Sequence, residues 1–302
     1  MKRITIEEAL QKASFCLNKA GVGQPRLEAE MLLSNLLQAG RLRLFLIRQS
    51  ELAPEPAEQF QQAVLRRCGG EPAAYITGEK HFYGYRFKMS KSVLIPRPET
   101  ELLIERALCW ISLQQAAGLT GIKCVDLGTG SGVLAVTLAL EMPDIAVWAV
   151  DISAEALAQA KHNAAGHSVQ DKITWLKGNY FEALREIKPQ PSFNLVISNP
   201  PYLSKTDIDN LPRDIKEHEP LEALYGGEDG FDSYRVILSD LSRYIHKPAL
   251  VLFEIGVGQQ EAVEDMCQKT GLFSAITMRY DLAGHPRVLE GEIGKREYEM
   301  GV

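Results

Sequence analysis

Hydrophobic and polar positions divide this chain into two regimes. In the front stretch the apolar residues fall at helical spacing. Thr5 and Glu8 form a capping-box pair ahead of a helix over Ile6 to Ala20, which Gly21 stops. Pro25 opens a second helix that carries Leu27, Met31, Leu32, Leu36 and Leu37 as far as Gly40. Leu42 to Arg48 reads as a short third helix, and Ala57 to Cys68, after Pro54 and Pro56, as a fourth backed by Gly69-Gly70. The spacing then changes: Tyr75, Ile76, Phe82, Tyr83, Tyr85 and Phe87 flank Gly78 and Gly84, which predicts a β-hairpin over Tyr75 to Met89.

Beyond the hairpin, short apolar runs alternate with helical patterns. Pro98, with early carboxylates at Glu99 and Glu101, starts a helix running to about Leu113. Strands are expected at Ile122 to Asp126, Ala146 to Asp151, Ile173 to Leu176, Phe193 to Ser198 and Ala249 to Ile255. Helices are expected at Val133 to Glu141, Ser153 to Asn163, Phe231 to Ile245 and Glu261 to Thr270. Leu203 to Tyr225 is polar and reads as a long loop, of the kind that is usually functional or disordered. Phe273 to Tyr280 and Pro286 to Leu289 suggest a closing antiparallel pair. Strands alternating with helices make an α/β fold around a mostly parallel sheet, with a small helical bundle in front.

Composition narrows the function classes. With 302 residues, 45% hydrophobic and 24% charged, the chain has room for a large α/β domain and a smaller one. It starts on charged residues without an apolar leader, and no stretch approaches a membrane span, so a soluble cytoplasmic protein is expected. Cys16, Cys68, Cys109, Cys124 and Cys267 are scattered without CxxC spacing, and His162 and His167 miss helical ligand spacing, so neither disulfides nor a metal site are expected. The net charge of −6 is uneven. Residues 1–90 hold 13 Lys and Arg against 9 Asp and Glu, and the remainder 20 against 30. The acidic part disfavours stable nucleic-acid binding. The mildly basic front suits a docking surface, with Arg41, Arg43, Arg48, Arg66 and Arg67 as candidates by charge, and solvated helix faces explain it about as well.

Candidate chemistry gathers at strand ends, where open parallel sheets bind ligands. Asn199-Pro200-Pro201-Tyr202 closes the Phe193 to Ser198 run. The Asn199 side-chain oxygen and the Pro200 carbonyl can both accept hydrogen bonds from one planar NH2 group, while the Tyr202 ring stacks on its face. A Pro-Pro turn closing a strand explains the same tetrapeptide by itself. The second signal is Asp126-Leu127-Gly128-Thr129-Gly130-Ser131-Gly132, a glycine turn between strand and helix that lets backbone amides approach a ligand. Asp151, 25 residues after Asp126, ends the next strand, where both its oxygens can take ribose hydroxyls. The loop is G-x-G-x-G, which favours an adenosylmethionine site over a dinucleotide. Asn179 can accept from an adenine amine and Tyr180 can pack on the ring, although a loop aromatic sealing the sheet edge fits Tyr180 as well. Arg97, between two prolines, is a candidate lining residue.

The stretches LIPRPETE (Leu94 to Glu101), DLGTGSG (Asp126 to Gly132), AVD (Ala149 to Asp151), SNPPY (Ser198 to Tyr202) and EIGVGQ (Glu254 to Gln259) occur in this order. With the EPAAYITGEKHFYG hairpin and the DLAGHPRVLEG ending, the chain resembles the peptide chain release factor glutamine methyltransferases over essentially its whole length. NPPY alone is shared with adenine-N6 methyltransferases. The resemblance implies a Rossmann-like, seven-stranded class I methyltransferase sheet over 93–302, a helical substrate-docking domain over 1–72 and a β-hairpin linker over 73–92. It implies transfer of a methyl group from S-adenosyl-L-methionine, leaving S-adenosyl-L-homocysteine, to the glutamine side-chain nitrogen of the GGQ loop in bacterial release factors, which modulates translation termination. It places Asp126, Leu127, Gly128, Thr129, Gly130, Asp151, Asn179, Tyr180 and Asn199 at the cofactor. Asn199, Pro200, Pro201, Tyr202, Leu94 and Arg97 fall at the glutamine, with Asn199, Pro200 and Tyr202 as the catalytic group. Where the family usually carries Asp and then Trp or Leu, this chain has Asn179-Tyr180, and Asn keeps an acceptor oxygen. A monomer is expected. The competing readings are an adenine-N6 methyltransferase acting on DNA or RNA, which would need a basic groove, and a non-catalytic adapter for release factors or RNA.

Overall fold

The computed structural model describes residues 4–294, and these fall into two compact units, 4–79 with Pro212–His218, and Lys80–Leu211 with 219–294. The first unit is helical. Thr5 caps Ile6–Lys19 through the expected reciprocal pair: its hydroxyl accepts from the Glu8 N–H, and the Glu8 carboxylate accepts from the Thr5 N–H. Pro25–Leu36, Arg41–Leu46 and Pro54–Cys68 follow. The last begins three residues before the expected Ala57, because the first turn of a helix tolerates proline. Leu10, Leu17, Leu33, Leu44 and Phe60 are the buried centre of the bundle.

Two expectations about boundaries are corrected. Tyr75 and Ile76 are helical, in Ala73–Thr77, and Ile76 packs on the bundle core, so the first unit runs to Glu79 rather than ending at 72. A helix-favouring Ala-Ala pair and a left-handed Gly78 at its end outweigh the β-preference of the aromatic pattern. The unit also takes back Pro212–His218, which the expected single domain over 93–302 does not allow for. The hairpin is therefore shorter than 73–92, pairing Glu79–Phe82 with Tyr85–Lys88. Its loop is Tyr83-Gly84, with positive φ at both residues, as a two-residue hairpin turn requires.

The second unit is built on a seven-stranded sheet. In chain order its strands are β1 (Lys123–Leu127), β2 (Ala146–Asp151), β3 (Ile173–Lys177), β4 (Phe193–Ser198), β5 (Ile245–Glu254), β6 (Ala275–Tyr280) and β7 (Pro286–Ile293). Their spatial order is 3-2-1-4-5-7-6. Strands β3, β2, β1, β4 and β5 are parallel, while β7 pairs antiparallel with both β5 and β6. Chain order reverses between β1 and β4, which opens the crevice where such sheets take ligands.

The pleat separates two buried faces. Val125, Leu127, Val150, Val196, Val251 and Phe253 share a cluster with Tyr234, Ile237 and Leu241 of the helix Asp232–Leu241 and with Val263 and Cys267 of Gln260–Lys269. Alternation turns Asp126 and Glu254 to the opposite side, where Glu101–Ala116, Val133–Glu141 and Ala154–Gly166 lie. Val133–Ala139 is buried throughout, as a helix apolar on all sides must be. β5 begins at Ile245 rather than at the expected Ala249, and the preceding helix stops at Leu241. The expected loop over Leu203 to Tyr225 is instead punctuated by Lys205–Asp209, Arg213–His218 and a 3-10 turn at Leu221–Ala223, and bridged where Leu203 pairs with Tyr225. Ser204 and Asp207 form a second capping box there.

Candidate active site

Four adjacent parallel strands place the sequence candidates along one sheet edge. Register aligns Leu127 with Val150, Asp126 with Ile197 and Asp151 with Lys177, so the segments after β1, β2, β3 and β4 leave the sheet side by side. After β1 the chain turns through Gly128, Gly130 and Gly132, all at positive φ. A Cβ at Gly132 would lie 2.9 Å from Ala160 Cβ, so the glycine lets the loop settle on the next helix. Asp126 is fully buried beneath the loop, and its Oδ2 accepts from the Thr129 hydroxyl at 2.6 Å. Burial pushes its carboxyl up to about 7, against the pull of that hydrogen bond. Leu127 is equally buried, and its carbonyl accepts from Ser198 Oγ at 2.6 Å, tying the ends of β1 and β4.

Asp151 organises the loop from the neighbouring strand. One oxygen accepts from the Gly130 N–H at 2.8 Å and the other from the Ser153 N–H at 2.9 Å. Burial raises its pKa, and those amides work in the opposite direction. The Ile152 N–H also bears on the carboxylate, which still retains acceptor capacity because its two oxygens offer about four lone-pair sites. Tyr180 stands at positive φ after β3, donates to Ser233 Oγ at 2.9 Å, and has its ring edge 3.8 Å from where a Gly128 side chain would begin. The half-buried Asn179 amide makes no side-chain hydrogen bond among the described residues.

Adenosylmethionine chemistry fits these residues. A loop without side chains at Gly128 and Gly130 gives a close approach, Asp151 offers acceptor capacity for ribose hydroxyls, and Asn179 has an uncommitted acceptor for an adenine amine.

At the end of β4 the tetrapeptide is held from several sides. Asn199 Nδ2 donates to Thr100 Oγ1 at 3.3 Å, which leaves Asn199 Oδ1 as the free edge. Pro200 is buried and Pro201 half-buried. The Tyr202 hydroxyl donates to Glu254 Oε1 at 3.4 Å, its carbonyl accepts from Gln259 Nε2 at 2.8 Å, and its ring lies 3.1 Å from where a Gly256 side chain would begin. Burial raises the Tyr202 phenol far above its ordinary value, so it stays protonated. Glu254 is 2% exposed; burial pushes its carboxyl up to about 7, while the Thr100 hydroxyl, Arg287 and Tyr202 pull it down.

The sequence did not single out Thr100, Glu254, Gly256 or Gln259 as individual residues. Their signal was the PRPETE and EIGVGQ stretches, whose role depends on β5 lying beside β4. Leu94 is half-buried. Arg97 has a partner that the sequence did not indicate: it donates to Glu219 at 2.7 Å, and Glu219 also accepts from the Ile95 N–H at 3.3 Å. In the helical unit, Arg41, Arg66 and Arg67 are paired with Glu30, Glu71 and Glu28, and Arg48 lies 4.5 Å over the Phe45 ring.

Comparison with known proteins gives these features a lineage. The family models described as "PrmC N-terminal domain" and "Methyltransferase small domain" match residues 8–78 and 107–215. The solved N-terminal domain of human METTL16 in complex with SAH has a TM-score of 0.52 at 15% identity, over 92% of this chain and 94% of that one, which is a likeness of fold. The release factor glutamine methyltransferase of Moorella thermoacetica is 36% identical, covering 94% of this chain and 97% of its own. That of Koribacter versatilis is 38% identical over 95% of this chain and 98% of its own. Similarity of this depth along nearly the full length of both proteins means that the chain belongs to the release factor glutamine methyltransferase family.

Proposed function

We propose that this chain methylates the side-chain amide nitrogen of the glutamine in the GGQ motif of bacterial peptide chain release factors. It is a methyltransferase with S-adenosylmethionine as its methyl donor, and release factors are its protein substrates. The observation that carries the finer reading is at Asn199: its nitrogen is taken by Thr100, so its oxygen edge is left to accept from an incoming NH2 group.

S-adenosylmethionine supplies an electrophilic methyl group on a sulfonium. The residues of this chain must make an amide nitrogen attack it, although that lone pair is delocalised into the carbonyl. Asn199 Oδ1 and the Pro200 carbonyl accept the two N–H bonds of the glutamine, orient its nitrogen and favour its pyramidal form. The same acceptors stabilise positive charge as it develops on nitrogen. The Tyr202 ring packs on the amide face, and its neutral hydroxyl adds no competing charge. The alkylated nitrogen is strongly acidic and releases its proton without a dedicated base, so the tetrapeptide needs no histidine or cysteine. Asp151 and the glycine loop bind the cofactor, with Asn179 and Tyr180 at the adenine. Leu94 lines the glutamine side, and Arg97 acts there through the Glu219 that it holds.

An adenine-N6 methyltransferase could use the same acceptors, and an adapter could keep the fold. Kinship over nearly the whole chain with glutamine methyltransferases supports the first reading over both. No helix among the described residues is long and apolar enough to cross a membrane. We place the enzyme in the bacterial cytoplasm, as a monomer without stable nucleic-acid binding. The direct test is incubation with labelled S-adenosylmethionine and three acceptors: a release factor, its GGQ Gln→Ala variant and duplex DNA. Label is expected on the wild-type factor alone. Label on DNA would overturn this reading in favour of base methylation, and no label on any acceptor would favour an adapter.

A further inference from the structure

An asparagine amide is nearly symmetric in shape, and only its oxygen edge can accept an N–H from a substrate glutamine. Something must therefore choose the edge. Asn199 Nδ2 approaches Thr100 Oγ1 at 3.3 Å, and Thr100 Oγ1 approaches Glu254 Oε2 at 2.7 Å. A hydroxyl has one proton. The ionised Glu254 carboxylate can only accept, so in that form Thr100 gives its proton to Glu254 and presents a lone pair to Asn199. The donor edge of Asn199 is thereby drawn inward and the acceptor edge is turned outward. Both Thr100 and Glu254 are 2% exposed, so water does not compete for these bonds. The second oxygen of Glu254 meets the Tyr202 hydroxyl at 3.4 Å, so one carboxyl braces the first and last residues of the tetrapeptide.

We propose that Glu254 and Thr100 are positioning residues for methyl transfer, which polarise the Asn199 amide so that its oxygen faces the glutamine nitrogen. The inference rests on the reading of Asn199 as the residue that accepts from the substrate amide. Simple tethering of the Glu101–Ala116 helix to the sheet would use the same contacts, but it would not require the direction of the hydrogen bonds.

The test uses the full chain with a release factor and labelled S-adenosylmethionine, comparing wild type with Thr100→Val, Thr100→Ser, Glu254→Gln and Asn199→Ala. Thr100→Val keeps shape and removes the hydroxyl, and is expected to lower kcat by about tenfold to a hundredfold, with KM for the release factor and Kd for S-adenosylmethionine within about twofold. Thr100→Ser, which returns the hydroxyl, recovers most of that loss. Glu254→Gln can donate as well as accept, so it loses the fixed direction and lowers kcat while the cofactor still binds. Unfolding temperatures measured on the same samples separate this from general loosening. Thr100→Val with wild-type kcat while Asn199→Ala is inactive would overturn the inference and leave the parent reading standing. Equal kcat losses in Thr100→Val and Thr100→Ser, tracking their unfolding temperatures, would also overturn it. Wild-type protein unable to label the release factor would overturn both.

Discussion

At Asn199 the amide is held by its nitrogen, and at Asp151 the carboxylate is held at both oxygens by backbone amides, so the two side chains fail differently when truncated. On the proposed role of Asn199, Asn199→Ala is expected to lower kcat by at least about a hundredfold with the cofactor Kd within about twofold, because the bonds lost are those to the substrate nitrogen and to Thr100. Asp151→Ala is expected to weaken cofactor binding by at least about tenfold. It also frees two amides in the loop and costs about 1–3 kcal/mol of stability. Calorimetric titration with S-adenosylmethionine and steady-state kinetics with a release factor separate the two, and equal loss of cofactor affinity in both variants would contradict the assignment. Both residues were legible in the chain because a strand-ending acid and an Asn before two prolines are local signals. Glu254 was not, since its partner Thr100 lies 154 residues away.

The elements around the tetrapeptide are fitted by close backbone approach. A Cβ at Gly226 would lie 2.6 Å from the Pro201 carbonyl and 2.9 Å from Tyr202 Cα, and one at Gly230 would lie 2.5 Å from the Tyr202 carbonyl. Gly226 is not at positive φ, so Gly226→Ala tests the approach without backbone strain. It is expected to shift Pro201-Tyr202, cost about 1–3 kcal/mol in unfolding free energy and reduce kcat more than it changes cofactor Kd. Denaturant melts and kinetics on one preparation check this. The glycines of Gly226 to Gly230 read from sequence only as loop punctuation. Their function as a bed for another backbone becomes visible once Leu203 pairs with Tyr225 and folds the segment back.

On the scale of the molecule, two fully buried carboxyls shape the pH response. Burial lifts both Asp126 and Glu254 from the usual carboxylate range to about 7. Between those values the folded state holds protons that the unfolded chain has released. Their contribution to stability is therefore present at low pH and lost as pH rises through about 7. Unfolding temperature is expected to decline from about pH 5 to pH 8 more steeply in wild type than in Asp126→Asn, which cannot titrate. A slope unchanged by Asp126→Asn would show that this carboxyl is ionised throughout. Neither shift is legible in the chain, because the same residue types on a surface titrate normally. The sequence by itself determined the helical front, the alternation of strands and helices, the glycine turn after β1 and the Asn-Pro-Pro-Tyr stop after β4. Each of these is a matter of short-range periodicity and turn chemistry. Only the tertiary structure decided that Ala73–Thr77 is helical, that Pro212–His218 belongs with the first unit, and that β5 lies against β4. That last pairing brings Glu254 and Gln259 to the tetrapeptide, and it depends on strand order and burial, which residues distant in sequence settle together.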